Sequence, residues 1–195
     1  AAVTAGKIQG ATHEFQSLEN VKEDVLQIIL NLKGLRMKMH SEEPVKLSIN
    51  ATGQKEVTGA DVEANADVEI VNKDHKIATL THEKGEFIAE LTIEKGRGFV
   101  PTEERKEDSG ELGVIAIDAL FSPIRNVAYK VENTRVGDIT NYDKLVMTIE
   151  TDGTISPEDA VNQSSKILLD YFSLLTPGAE EEVGVETEEP ENEET

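Results

Sequence analysis

Residues 121–157 constrain this chain most. Two extended apolar runs, a turn at Asp152-Gly153 and a helix start at Ser156-Pro157 follow one another without interruption. Residues 127–132 and 145–150 alternate apolar with polar side chains, the period of a strand with one covered face. Ser156 suits an N-cap, Pro157 the first helical position, and Glu158 and Asp159 the electropositive first turn. No nucleophile–base pair, metal-ligand cluster or phosphate loop lies in the stretch. It reads as a joining piece that sets a helix against a partner.

The rest of the chain supplies an α+β pattern. Residues 1–10 are extended in character. Val21, Val25, Ile28, Ile29 and Leu32 recur at helical spacing. Asn20 is the expected N-cap of that helix, with Glu23 completing a capping-box-like pair, and Lys33-Gly34 its expected stop. Short strands are expected at 35–40, 45–50, 68–71, 76–80, 87–95 and 114–121, joined by turns rich in Gly, Asn, Asp and Lys. Gly96-Arg97-Gly98-Phe99-Val100-Pro101 interrupts this series, and 102–113 reads as a polar, mobile loop. The last helix places Ala160, Ser164, Ile167, Leu168, Tyr171, Phe172 and Leu175 on one face before Pro177-Gly178 ends it. That apolar face is wide for one small domain. Intrachain packing and a protein–protein helix interface both fit it.

Charge narrows the function classes. The net charge is −20, and nine Glu with no Lys, Arg or Asp fall in residues 177–195, a stretch expected to be disordered. The remainder holds 19 basic against 30 acidic residues and stays acidic. A broad nucleic-acid face needs clustered Lys and Arg, so this balance argues against one. Cysteine is absent, which removes disulfide and thiolate chemistry and fits a reducing cytosol. No apolar run reaches a membrane-spanning length of about 18 residues, and no secretory leader opens the chain. A start at Ala1 rather than Met suggests a fragment or processed product.

Catalytic signatures are weak. His13, His40, His75 and His82 form no i, i+4 pair, so zinc has no framework and none of the usual cofactors is expected. With 39 carboxylates, a glycosidase-type acid pair carries almost no information. Gly96-Arg97-Gly98 lacks the spacing of a phosphate loop and reads as a bend that holds Arg97 out to a partner or a nearby carboxylate.

His13-Glu14-Phe15, VKEDVLQIILNLKG (21–34), GRGFVP (96–101) and FSPIRNVAYKVENTRVGDITNYDKLVMTIETDGTISPEDA (121–160) are together familiar. In this order they resemble the N-terminal domain of the bacterial DNA-directed RNA polymerase alpha subunit, over roughly residues 1–176. The resemblance implies a β-rich insertion domain at 1–120 and the C-terminal half of a two-layer α/β dimerisation domain at 121–176. An acidic linker would follow at 177–195. The family's first strand and first long helix would precede Ala1. A homodimer with a second alpha subunit is therefore expected of the intact protein rather than of this stretch alone.

The implied role is a non-catalytic assembly scaffold in the bacterial cytoplasm, nucleating the beta and beta-prime subunits. Nucleotide polymerisation and its magnesium belong to those subunits. DNA sequence would be read by a C-terminal domain this chain does not carry. Contacts with the large subunits are expected at Asn31, Lys33, Arg97, Ser122, Arg125, Arg135 and Lys144, where charged side chains can meet acidic or backbone groups. Ile167, Leu168, Tyr171, Phe172 and Leu175 are expected to form the dimer-helix face. A stand-alone acidic α+β protein-binding module, and more distantly a hydrolase with paired carboxylates, are the competing readings.

Overall fold

The computed structural model describes residues 1–63, 65–104, 113–137 and 139–175. Contacts divide the chain into two units, Ala1–Ile155 and one opening at Ser156, and each is described by itself. The 177–195 stretch expected to be a linker lies outside the described residues, as do residues 105–112 of the expected loop.

The first unit begins with β1 (Ala2–Ile8), followed by α1 (Val25–Lys33), β2 (Met37–Met39), β3 (Val45–Thr52) and β4 (Glu56–Thr58). Then come β5 (Val68–Ile70), β6 (Lys76–Thr79), β7 (Glu86–Glu94), β8 (Phe99–Val100), β9 (Val114–Ala116) and β10 (Ala119–Leu120). The unit closes with two long strands, β11 (Ile124–Val136) and β12 (Ile139–Thr151). The main sheet has the order β3-β7-β1-β9 and is antiparallel throughout. Smaller antiparallel pairs are β2-β5, β4-β6, β8-β10 and β11-β12. The α+β class expected from the sequence is what the molecule has.

One-sided burial explains the main sheet. Along β7, Phe87, Ala89, Leu91 and Ile93 are buried while Ile88, Glu90, Thr92 and Glu94 are only partly covered, the alternation of a sheet with one face on the core. α1 lays Val25, Ile28, Ile29 and Leu32 on the same core. Each such side chain contributes about 1.5–3 kcal/mol by leaving water. In β1 the register slips between Val3 and Ala5. Thr4 sits in that bulge, buried, and its hydroxyl donates to the Thr92 carbonyl at 3.3 Å.

Three expectations need correction. α1 starts at Val25, one turn later than the apolar spacing suggests. Asn20 is not its cap but a left-handed turn residue (φ 60°) whose carbonyl accepts from the Thr81 N–H. Asp24 caps instead, its Oδ1 accepting from the Gln27 N–H at 2.7 Å, and Val21 bridges Leu80. Glu23 is drawn away by Thr79, whose N–H and hydroxyl donate to it at 2.7 and 2.8 Å. Next, residues 114–121 are not one strand but β9 and β10, broken around Ile117 and Asp118. There the Asp118 carboxylate accepts from the Thr102 N–H and pairs with Lys33. Finally, the interruption at 96–101 contains β8, which pairs with β10 through Val100↔Ala119 and Phe99↔Leu120.

The second unit contributes α2 (Pro157–Ser173). Its start is as expected, with the Ser156 side chain accepting from the Asp159 N–H at 3.1 Å and Pro157 at the first position. Its end is earlier: Leu174 is the C-cap, so Leu175 lies just past the helix that was expected to carry it.

Candidate protein–protein interface

β11 and β12 form a two-stranded ribbon of thirteen residues per strand. At about 3.3 Å per residue this is roughly 40 Å long. Its pairing puts Val127 opposite Ile149, Tyr129 opposite Met147 and Val131 opposite Leu145. Strand alternation sends all six to one side. Five are well exposed, Tyr129 to 75%. The other side is mixed, with Lys130 bonded to Glu132 at 2.8 Å and Lys144 opposite Glu132. The base of the ribbon is tied down. The Asp152 N–H donates to the Pro123 carbonyl at 2.9 Å, and Asp152, almost fully buried, faces the Arg36 guanidinium at 3.6 Å.

The C-terminal end of α1 is a second, tightly built corner. Asn31 donates from its amide to the Ile77 carbonyl at 2.8 Å, and its own carbonyl accepts from the Gly34 N–H and from His75 Nε2. Lys33 Nζ bonds Asp118 at 3.0 Å. The Thr102 N–H donates to the other carboxylate oxygen at 3.1 Å. These donors, Thr102 first and then Lys33, hold the Asp118 carboxyl below the usual carboxylate range. An open groove of about 1230 Å³ runs beside this corner, with Leu26, Leu30, Lys33, Ile115 and Asp118 among its lining residues.

The expected contact residues therefore fall into three places. Asn31 and Lys33 meet at the α1 corner, half-buried and bonded inside the chain. Arg97 is exposed in the bend between β7 and β8. Ser122 and Arg125 sit at the base of the ribbon, Arg135 and Lys144 toward its turn. Ten residues of strand separate Arg125 from Arg135, roughly 33 Å, so these side chains do not converge on one small site. Arg135 folds back, its Nε donating to the Gly137 carbonyl at 2.6 Å. Ile167, Leu168, Tyr171, Phe172 and Leu175 are all exposed. Asp118 and Leu120 were not singled out from sequence, and His75 was weighed there only as a zinc ligand. A lone Asp inside the apolar run VIAIDALF was the available signal for the first of them.

The ribbon and α2 each carry exposed apolar side chains. Among the described residues no group of three His, Asp or Glu side chains could hold a metal ion. The family model of the RNA polymerase Rpb3/RpoA insert domain matches residues 7–122. This chain belongs to that family.

Full-length relatives of this insert-domain chain agree with the match. The DNA-directed RNA polymerase subunit alpha of Symbiobacterium thermophilum is 50% identical over 98% of the chain and 62% of its own length. That of Oceanobacillus iheyensis is 48% identical over 99% of the chain and 62% of its own length. The subunit from Rubrobacter xylanophilus is 45% identical over 91% and 56%. The chain thus spans less than two thirds of the length of the curated relatives it matches. The resemblance drawn from its motifs is borne out.

Proposed function

We propose that this chain serves as the non-catalytic scaffold of a bacterial DNA-directed RNA polymerase, the part of an alpha subunit that gathers the beta and beta-prime subunits. One observation carries the reading: 48–50% identity across nearly the whole chain to proteins named as that subunit. The exposed ribbon and α2 faces support it, because apolar surface of that extent marks contact with other proteins. Residues 1–120 act as the insertion domain and 121–176 as half of the dimerisation domain. α2 supplies one side of the contact with a second alpha subunit. The work is cytoplasmic, at the nucleoid, and DNA sequence is read elsewhere in the intact protein.

Within this reading the contact residues divide by their surroundings. Arg97, Arg125 and Lys144 are exposed and free to meet acidic groups of the large subunits. Ser122 and Arg135 frame the two ends of the ribbon. Asn31 and Lys33 act through the corner they build, which fixes the outer face of α1. Co-expression with tagged beta and beta-prime tests the assignment: both large subunits should recover this chain in stoichiometric amount. Recovery no better than for an unrelated acidic protein would refute it.

A further inference from the structure

The ribbon joins the rest of the first unit through a narrow neck. Among the described residues its two strands pair only with each other. On the β11 side the neck is anchored through the backbone. The Phe121 N–H donates to the Gly98 carbonyl at 2.8 Å, and a Cβ on Gly96 would lie 2.5–2.7 Å from the Phe121 ring. Pro123 follows, its φ fixed by its own ring. On the β12 side stands Asp152, one residue past the strand. Its N–H donates to the Pro123 carbonyl at 2.9 Å, so the two sides of the neck meet there. Its Oδ1 accepts from the Thr154 N–H at 3.0 Å and from the Thr154 hydroxyl at 2.6 Å. Its Oδ2 faces Arg36 Nε at 3.6 Å.

Arg36 sits in a firm socket of the body. Its N–H donates to the Asn72 side-chain oxygen at 2.7 Å, and its carbonyl accepts from the Val71 N–H at 2.8 Å. Asn72 donates in turn to the Gly34 carbonyl at 2.9 Å. Arg36 Nη1 reaches the Lys33 carbonyl at 3.5 Å, at the electronegative end of α1. Yet Arg36 Nε is buried with no hydrogen-bond partner among the described residues. Its 3.6 Å separation from Asp152 is too long for an N–H···O bond. Two opposite charges thus face each other, largely out of water, and attraction alone holds them. Such a pair recovers little of its desolvation, and apolar side chains of the same volume stabilise a fold as well or better. What the charges add is direction, because one is fixed in the body and the other in the neck.

We propose that Arg36 and Asp152 form a latch that aims the ribbon, and that opening it lets the ribbon swing about Phe121–Pro123 with both parts still folded. With the latch closed, the apolar face of Val127, Tyr129 and Val131 points one way. With it open, Asp152 keeps its bonds to Pro123 and Thr154, so the neck stays formed. Leverage makes the latch matter: a turn of about 10° at the neck carries the far end of a ribbon roughly 40 Å long through about 7 Å. The device goes beyond the scaffold reading and needs no partner to operate.

The test uses the full-length protein with spin labels at two exposed positions, Lys38→Cys in β2 and Asn133→Cys toward the far end of β11. Other cysteines are removed, and labelled protein is diluted with unlabelled protein so that only distances within one chain are read. Arg36→Met keeps the aliphatic stem, and Asp152→Asn keeps the acceptor for Thr154. Each alone leaves the other charge buried without its counterpart and should lower the thermal midpoint. The double variant removes both charges and should regain most of that loss, with an unchanged far-UV circular dichroism spectrum. Its distribution of distances between the labels should nevertheless be broader than that of the wild type. A wild-type width in the double variant overturns the inference, since Phe121 and the neck backbone would then aim the ribbon unaided. A double variant as unstable as the weaker single variant also overturns it, because the pair would then be part of the fold and not a latch upon it.

Discussion

Gly34→Ala should destabilise the first unit, and the same change should stabilise it once His75 is gone. Gly34 closes α1 with φ −79° and ψ −12°, helical values that alanine adopts without strain. Yet a Cβ there would stand 2.5 Å from Nε2 and 2.6 Å from Cε1 of His75. The ring must leave, and its 2.8 Å bond to the Asn31 carbonyl goes with it. Losing that bond costs about 0.5–1.5 kcal/mol, and repacking the displaced ring about 1–3 kcal/mol. Against this, alanine restricts the unfolded chain and returns about 0.4–1 kcal/mol. The balance is a loss of about 0.5–4 kcal/mol. In a His75→Ala background the ring is gone and only the Asn31 carbonyl, 3.1 Å from the same Cβ, must give slightly, so Gly34→Ala should gain up to about 0.4–1 kcal/mol. The coupling, about 1.5–4.5 kcal/mol, is well above the ~0.3–0.5 kcal/mol scatter of independent sites. Urea unfolding of the four proteins, followed by far-UV circular dichroism at constant slope, measures it. Equal destabilisation in both backgrounds would refute the idea that His75 dictates glycine here.

Leu32→Ala removes a fully buried side chain between α1 and the sheet and should cost about 2–5 kcal/mol in the same assay; a loss under ~1 kcal/mol would mean the core is not packed as described. Burial pushes the Glu23 carboxyl up, but hydrogen bonds from Thr79 and Lys76 outweigh it and hold it below its ordinary value. Its contribution is then complete above the unfolded-state value and drains as pH falls through the folded one. Glu23→Gln should accordingly flatten the acid limb of the stability–pH curve, and an unaltered limb would count against that ion network. Arg135→Ala, at the turn end of the ribbon, should weaken recovery of beta or beta-prime by the full-length protein; unchanged co-purification would remove Arg135 from the contact set.

Local signals were legible where the cause is local. Ser156, Pro157 and Asp159 specify a helix start among themselves, and Asp152-Gly153 makes its turn with Gly153 at φ +88°. Asn20 and Glu23 carried an equally good local signal and misled, because Thr79 competes for Glu23 from 56 residues away. Alternation marked the middle of β11 and β12 but not their ends, which are set by the partner strand and not by hydrophobicity. Lys33 was legible as the basic residue at a helix end but not as half of a pair. Asp118 lies 85 residues on, and only the folded sheet brings the two together. The pairing of Phe99 with Leu120 was hidden for the same reason: each looks like an ordinary apolar residue until β8 and β10 meet.

β1 has a consequence for how the chain is made. It lies between β7 and β9 in the main sheet, with Ala5 opposite both Thr92 and Ala116. Roughly 110 residues must leave the ribosome after Ala5 before its second neighbour exists, about 6–22 seconds at ordinary translation rates. For most of that interval β1 has no partner at all, since Thr92 is made roughly 87 residues after Ala5, and for the remainder the strand is half-mated. The sheet closes only late, when β9 arrives and the sequence has moved on toward the ribbon.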